Sequence, residues 1–165
     1  MDNPYKMSAP NIIQKLQLQP HPEGGYYKET YRCNQRMPTN TGDRNVSTAI
    51  YYLLEDDNKS HFHRIHSDEL WFFHLGEPLE IVYIRDGKLE TILLGNDLSK
   101  GQMPQAVIPA NSWFASHIKN EKGFTLVSCT VAPGFDFADF EMAKRDLLIR
   151  EYPQLQAVIE YFTKT

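Results

Sequence analysis

Four of the six histidines fall within His61-Phe62-His63-Arg64-Ile65-His66-Ser67-Asp68-Glu69-Leu70-Trp71-Phe72-Phe73-His74, the stretch richest in groups that can move a proton or hold a metal. On an extended strand residues two apart share a face, so His61 and His63 are expected to project together. On the strand that comes next, Glu69, Trp71 and Phe73 share a face in the same way. Imidazoles and a carboxylate above an aromatic floor suit two chemistries. One is a divalent cation held by nitrogen and oxygen, and the other is proton transfer between groups that shift each other's pKa. The plain alternative is a solvent-facing pair, or a core histidine bonded to backbone. His74 lies five positions beyond Glu69, so strict alternation sends it to the opposite face unless a bulge intervenes. His66 falls in an expected turn and reads as exposed, and His117 lies near a strand end.

Around this stretch, Pro22-Glu23-Gly24-Gly25 reads as a turn whose glycines take positive φ. Tyr26 and Tyr27 alternate on the strand after it, so one of them faces inward, and its hydroxyl can donate or accept a proton. Trp71, Phe73 and Trp113 serve either as core or as the wall of a pocket for a sugar or planar ring. Ala132-Pro133-Gly134-Phe135-Asp136-Phe137 ends the last strand and swings the chain away. Phe135 and Phe137 then close a cavity mouth or meet a second subunit.

The elements that must position these groups can be read from pattern. Residues 8–18 predict a short helix, with Ser8 as cap, Pro10 early, Ile12, Ile13 and Leu16 at helical spacing, and Pro20 as the stop. From Gly25 to Ala132, short runs of Tyr, Val, Ile, Thr and Phe are punctuated about every ten residues, the rhythm of a β-sandwich or barrel. Strands are expected at 25–32, 46–54, 60–65, 69–75, 79–85, 88–94, 105–109, 113–118 and 124–132. Asp86-Gly87 gives the sharpest hairpin signal, and Thr39 to Asn45 reads as a polar loop. Asp139 is expected to cap a helix carrying Phe140, Ala143, Leu147 and Leu148 on one face. After Pro153 a second helix carries Leu155, Val158, Ile159 and Phe162.

At 165 residues the chain suits a single domain over 1–165, with a barrel at 21–135 and helices at 139–163. A net charge of −4 offers no sequence-wide basic field for nucleic acid or anionic lipid, so neither is an expected partner. Cys33 and Cys129 read as reduced thiols, which fits the cytoplasm. Met1 to Pro10 shows no signal-peptide core, and no run approaches a membrane span.

The stretch at 61–76 resembles the first cupin motif, Gly-(five)-His-x-His-(three or four)-Glu-(six)-Gly. Six residues separate Glu69 from Gly76 as expected, while the five between His63 and Glu69 are more than the motif has. His-Pro-Glu-Gly-Gly-Tyr-Tyr at 21–27, Phe-His-Arg-Ile at 62–65, Asp-Glu-Leu-Trp at 68–71, Val-Ile-Pro-Ala at 107–110 and Val-Ala-Pro-Gly-Phe-Asp-Phe-Ala-Asp-Phe at 131–140 together resemble Cupin 5, or DUF985. The resemblance implies an all-β double-stranded β-helix, or jelly roll, with an N-terminal helix and C-terminal helices. It also implies a homodimer and a small-molecule cavity in the barrel, but no particular reaction. Pro-x-Gly-x-x-His, the second cupin motif, aligns with Pro109-Ala110-Asn111-Ser112-Trp113-Phe114, so Phe114 stands where a ligand histidine belongs. A divalent metal is therefore disfavoured, with His61, His63 and Glu69 the candidates for a two-His, one-carboxylate site.

These residues suit functions of two classes. The first is an isomerase- or epimerase-like enzyme acting on a carbohydrate-like molecule, with His63 as base, Glu69 as its partner and Tyr26 as proton donor. His61, Trp71, Phe73, His74 and Trp113 would contact the substrate. The second is a non-catalytic module that binds or stores a metabolite. A metal-dependent cupin enzyme is the third possibility.

Overall fold

The computed structural model describes residues 7–165. Most of the N-terminal stretch read for signal-peptide character, residues 1–6, lies outside the described residues. A helix, α1 (Ala9–Leu16), leads into β1 (Gln19–Pro20) and β2 (Tyr26–Arg32). A small hairpin, β3 (Arg36–Thr39) and β4 (Gly42–Asn45), precedes β5 (Thr48–Glu55), β6 (Lys59–Arg64) and β7 (Asp68–Gly76). Then come β8 (Leu79–Arg85), β9 (Lys88–Leu94), β10 (Gln105–Ile108), β11 (Phe114–Ile118) and β12 (Phe124–Ala132). A two-residue strand, β13 (Glu141–Met142), precedes α2 (Arg145–Glu151) and α3 (Gln156–Tyr161).

Apart from the two-stranded β3–β4 ribbon, the strands form two antiparallel sheets, ordered β1-β2-β5-β12-β7-β10 and β13-β6-β11-β8-β9. This is the expected double-stranded β-helix, with helices at both termini. Between the sheets lie Tyr52, Leu54, Trp71, Leu79, Ile81, Ile108, Phe114 and Ile118. Outside the first sheet α1 covers Leu53 and Tyr26. Outside the second, α2 and α3 cover Phe62, Val82, Trp113 and Ala115 through Leu148, Ile159 and Phe162.

Local chemistry explains the boundaries. Ser8 accepts a hydrogen bond from the Asn11 amide at the start of α1, Pro10 occupies its first turn, and Gln17 ends it in the left-handed region at φ 56°. Asp86 and Gly87 take φ of 50° and 72°, the two positive values that a tight hairpin between right-twisted strands requires.

Two expectations are corrected. Thr39 to Asn45 is not merely a loop, because β3 and β4 pair across it from Arg36↔Asn45 to Thr39↔Gly42. Its mostly exposed polar residues give no alternating apolar signal. Asp139 does not cap a helix: it ends a 3-10 turn, and its carboxylate is gripped by Arg44 through Nε and Nη2, each at 2.7 Å. The chain then pairs Glu141 with Arg64 and Met142 with His63, so helix begins only at Arg145.

A bulge on β6 decides which of its side chains face the interior. Phe114 stands opposite His63 and Ser116 opposite Ser60, so His61 and Phe62 together face Ala115 alone. The extra residue breaks alternation: Ser60 and His63, three apart, stand opposite residues only two apart on β11, and between them Phe62 turns out under the helices while His63 turns inward against Phe114.

Phe162 is 4% exposed, its amide bonds Val158, and its carbonyl accepts the Phe62 amide at 2.8 Å. Phe162→Ala is expected to cost about 3–5 kcal/mol in urea denaturation; a loss under about 1 kcal/mol would mean that the C-terminal helices contribute little to the fold.

Candidate active site

At one end the two sheets separate around a cavity of about 480 Å³. The rest of the interior is filled by Trp71, Tyr52 and Phe114, which meet edge to face. His63 from β6, Glu69 from β7 and Cys129 from β12 line the cavity, and Phe135, Phe137 and Phe140 form its apolar rim. His63 and Glu69 are 3% and 8% exposed, so both are withdrawn from bulk water.

The turn at 21–25 supplies the remaining polar groups. The His21 amide donates to the Gly25 carbonyl at 3.0 Å, and the Gly24 amide donates back to the His21 carbonyl at 3.0 Å. Gly24 and Gly25 take φ of 112° and 73°, and a Cβ on Gly24 would collide with the Lys59 carbonyl. Tyr52 donates its hydroxyl to the Gly24 carbonyl at 2.6 Å. So fastened, the turn sends Glu23 inward, where a carboxylate oxygen lies 2.8 Å from His63 Nε2.

A closed circuit of hydrogen bonds results. His61 donates its amide (2.8 Å) and its Nδ1–H (2.7 Å) to the Glu23 carbonyl. His63 donates Nδ1–H to the His61 carbonyl at 2.7 Å and Nε2–H to the Glu23 carboxylate. A backbone carbonyl only accepts, so Nδ1 carries a proton; with the Glu23 carboxyl held ionised, Nε2 carries the other and the ring is an imidazolium.

Burial works against a charged His63, but the Glu23 carboxylate, by charge and by hydrogen bond, holds its pKa above the ordinary histidine value. Burial likewise opposes Glu23, yet His63 and His21 bring it down to about 2. Glu69 has no such partner: burial, and then the nearby Glu23 charge, raise it to about 7 against the pull of His63. The Trp71 indole N–H also favours the ionised Glu69, although it is sealed without a well-formed hydrogen bond. Burial pushes the Cys129 thiol well above its usual range, so it stays protonated.

The structure thus brings together His63 and Glu69 and separates the other candidates. Tyr26 pairs with Leu53 and packs beneath α1, whereas Tyr27 pairs with Tyr52 and lines the cavity. The alternation holds but its phase is shifted by one residue. His61 is half-buried behind the bulge and serves His63 through its carbonyl. Trp71 and Phe73 belong to the core between the sheets. Trp113 lies on the outer face with the Arg64 guanidinium 4.3 Å above its ring. His74 is exposed and bonds Ser128 at 2.7 Å, and His117 meets Glu80 and Tyr161 outside the barrel.

The set His61, His63 and Glu69 does not fit a metal. Both His63 nitrogens are engaged by acceptors, His61 bonds backbone, and Phe114 packs on His63 at 4.1 Å between ring centroids. Among the described residues no group of three or more His, Cys, Asp or Glu side chains is arranged to hold an ion.

Glu23 and His21 went unread in the sequence because a charged residue between Pro and two glycines looks like a solvated turn. The available signal was the pairing of a histidine with two consecutive glycines just ahead of a strand, a backbone tight enough to be pressed against another strand.

Two sheets, a cavity open at one end and a polar cluster from the strands around it define a cupin barrel. The particular family is Cupin_5, described as "Cupin superfamily (DUF985)", whose profile matches residues 10–143; the chain belongs to it. It is 34% identical over 152 residues to the uncharacterized protein YML079W of Saccharomyces cerevisiae, covering 83% of this chain and 76% of that one. A hypothetical protein from Leishmania major superposes with a TM-score of 0.89 at 35% identity, covering 96% of this chain and 100% of that one. Protein SO0799 from Shewanella oneidensis does so with 0.89 at 39%, covering 96% and 98%. Among the described residues no helix is long and apolar enough to cross a membrane.

The charge states can be checked through pH. Glu23→Gln leaves burial as the main influence on His63, so the ring, cationic at pH 7 in the parent, is expected to be neutral there by side-chain NMR. An imidazolium in the variant would show that Glu23 is not what charges it. Glu69, raised from 4.5 to about 7 by folding, opposes the folded state progressively as pH climbs between those values. Glu69→Gln should flatten the decline in denaturation free energy over that window, and an unchanged slope would contradict the assignment.

Proposed function

We propose that this cavity is the active site of an isomerase- or epimerase-type enzyme acting on a carbohydrate-like molecule by proton transfer. The observation that carries the reading is that two buried carboxyls line one cavity and only one of them, Glu23, is bonded to an imidazole at 2.8 Å, which holds it down to about 2 while burial lifts Glu69 to about 7. Environments that drive like groups apart in this way separate acid–base roles from structural ones. Glu23 stays ionised and holds His63; Glu69 exchanges its proton near neutral pH.

The base role therefore passes from His63 to Glu69. An imidazolium committed through both N–H groups has no lone pair with which to accept a proton. Ionised Glu69 takes the proton from a carbon next to a carbonyl, and the C–H electrons move onto the carbonyl oxygen as an enolate. Protonated Glu69 then returns the proton to the neighbouring carbon while the enediol hydroxyl proton passes to the former carbonyl oxygen, which gives the isomer; returned to the original carbon after the enolate has turned its other face, it gives the epimer, and nothing is consumed. The His63 charge favours the enolate through space, and the rim of Phe135, Phe137 and Phe140 offers apolar faces for the C–H side of a sugar ring.

The same reading keeps the protein a homodimer of the cytoplasm. Leu147 and Tyr161 on the C-terminal helices and Val107 on β10, the last strand of its sheet, leave apolar surface exposed, and both cysteines are free thiols. A monomeric mass by light scattering at micromolar concentration would overturn the dimer.

The function is tested by incubating the protein in D2O with a panel of neutral aldoses, ketoses and keto-deoxysugars and reading deuterium uptake beside the carbonyl by NMR. Uptake should rise with pH through about 7, and Glu69→Gln should lower it by about 10²-fold or more. No uptake with any member, or saturable binding without uptake, would favour the non-catalytic binding module instead.

A further inference from the structure

We infer that His21 is a neutral hydrogen-bond donor of this cavity, its Nε2–H set to hold the carbonyl oxygen of an uncharged hydroxy-carbonyl compound while Glu69 moves the adjacent proton. The inference rests on the proton-transfer reading of the cavity.

The tautomer is fixed by backbone. A Glu23 carboxylate oxygen lies 3.5 Å from His21 Nδ1 without forming a hydrogen bond, whereas the Glu23 amide donates to that nitrogen at 3.2 Å; a backbone amide can only donate, so Nδ1 keeps its lone pair and the proton of the neutral ring sits on Nε2. The side chain is 6% exposed, lines the cavity, and makes no hydrogen bond through Nε2 to any described residue. Nor is that nitrogen among the sealed, unpartnered atoms of the interior, so its free direction is the cavity itself. Tyr27 meets the ring edge-on at 4.6 Å between centroids, Phe140 at 5.8 Å, and Phe137 stacks at 6.2 Å. The turn at 21–25 and these rings hold the imidazole plane. Burial lowers its pKa in spite of Glu23, which keeps it uncharged at neutral pH.

The cationic donors are already engaged. Both N–H groups of His63 are bonded within the circuit. Arg32 at the mouth commits its guanidinium to Glu29, Asn45 and the Phe135 carbonyl. That leaves a neutral donor beside a carboxyl base, the pair an enolisation needs: one group to take the proton and another aimed at the oxygen where charge collects. The same inventory sets the ligand class. Glu23, Glu29 and Asp136 outnumber His63 and Arg32 around the cavity, and both cations are paired, so a phosphorylated compound finds net repulsion and an uncharged one does not.

The experiment has a protein-only arm and a turnover arm. In long-range proton–nitrogen NMR of the 15N-labelled protein at pH 7, His21 should appear neutral with its proton on Nε2; an imidazolium or an Nδ1–H tautomer would overturn the inference. In the deuterium-uptake assay, His21→Phe keeps a ring but removes the donor, and should lower kcat/KM by about 10²-fold or more with the pH midpoint near 7 unmoved. His21→Gln, which restores an amide N–H near the same place, should recover all but about tenfold. Full activity in His21→Phe, or no difference between Phe and Gln, would refute the donor role while leaving the Glu69 chemistry standing. If the parent protein exchanges nothing, the proton-transfer reading falls and the donor role with it. The NMR arm then shows whether the ring itself was correctly assigned.

Discussion

The buried contact between Glu23 and His63 governs the rest of the site. Two opposite charges out of water are costly to assemble, and they persist only where each remaining proton and lone pair is satisfied. Here the satisfaction comes from backbone: the His61 carbonyl takes the second His63 proton, and the Glu23 carbonyl takes both donors of His61. The pair needs the 21–25 turn pressed against β6, and that approach needs Gly24, where a side chain would strike the Lys59 carbonyl. A glycine in one loop is thereby a condition for a charge in the middle of the barrel.

That charge then sets the rest. The Glu23 anion adds to burial in keeping Glu69 from ionising, which leaves Glu69 as a carboxyl whose protonation changes near neutral pH. His21, bonded to the Glu23 amide and enclosed by rings, stays neutral beside an imidazolium. Four titratable groups in one space hold three distinct protonation states, and the differences trace to which backbone groups each can reach.

Much of the fold was legible because it is written in alternation. Phe124–Ala132 is a strand whose burial alternates with the period of the pleat, Leu79–Arg85 is an apolar run buried on both faces, and Asp86-Gly87 can hardly be anything but a tight hairpin. The polar β3–β4 ribbon and the two-residue β13 left no such trace, because their pairing is by backbone and owes little to apolar faces. At the site, His63 and Glu69 were legible as chemistry and as neighbours. What failed was parity: the bulge at His61 and Phe62 and the one-residue phase of Tyr26 and Tyr27 depend on how a strand is entered, which residue type does not encode. Glu23 and His21 were hidden for a related reason, since a loop residue becomes interior only when a distant strand closes over it.

The His63 imidazolium has both of its hydrogens committed to the scaffold and is capped by the Phe114 and Phe140 rings. It touches a guest only as a field, and a field does not distinguish one hydroxyl arrangement from another. Stereochemical discrimination in this barrel must therefore fall to the contour of the phenyl rim and to the few directional contacts near it, so homologues that share the charged circuit can differ in what they accept by changes at the rim alone.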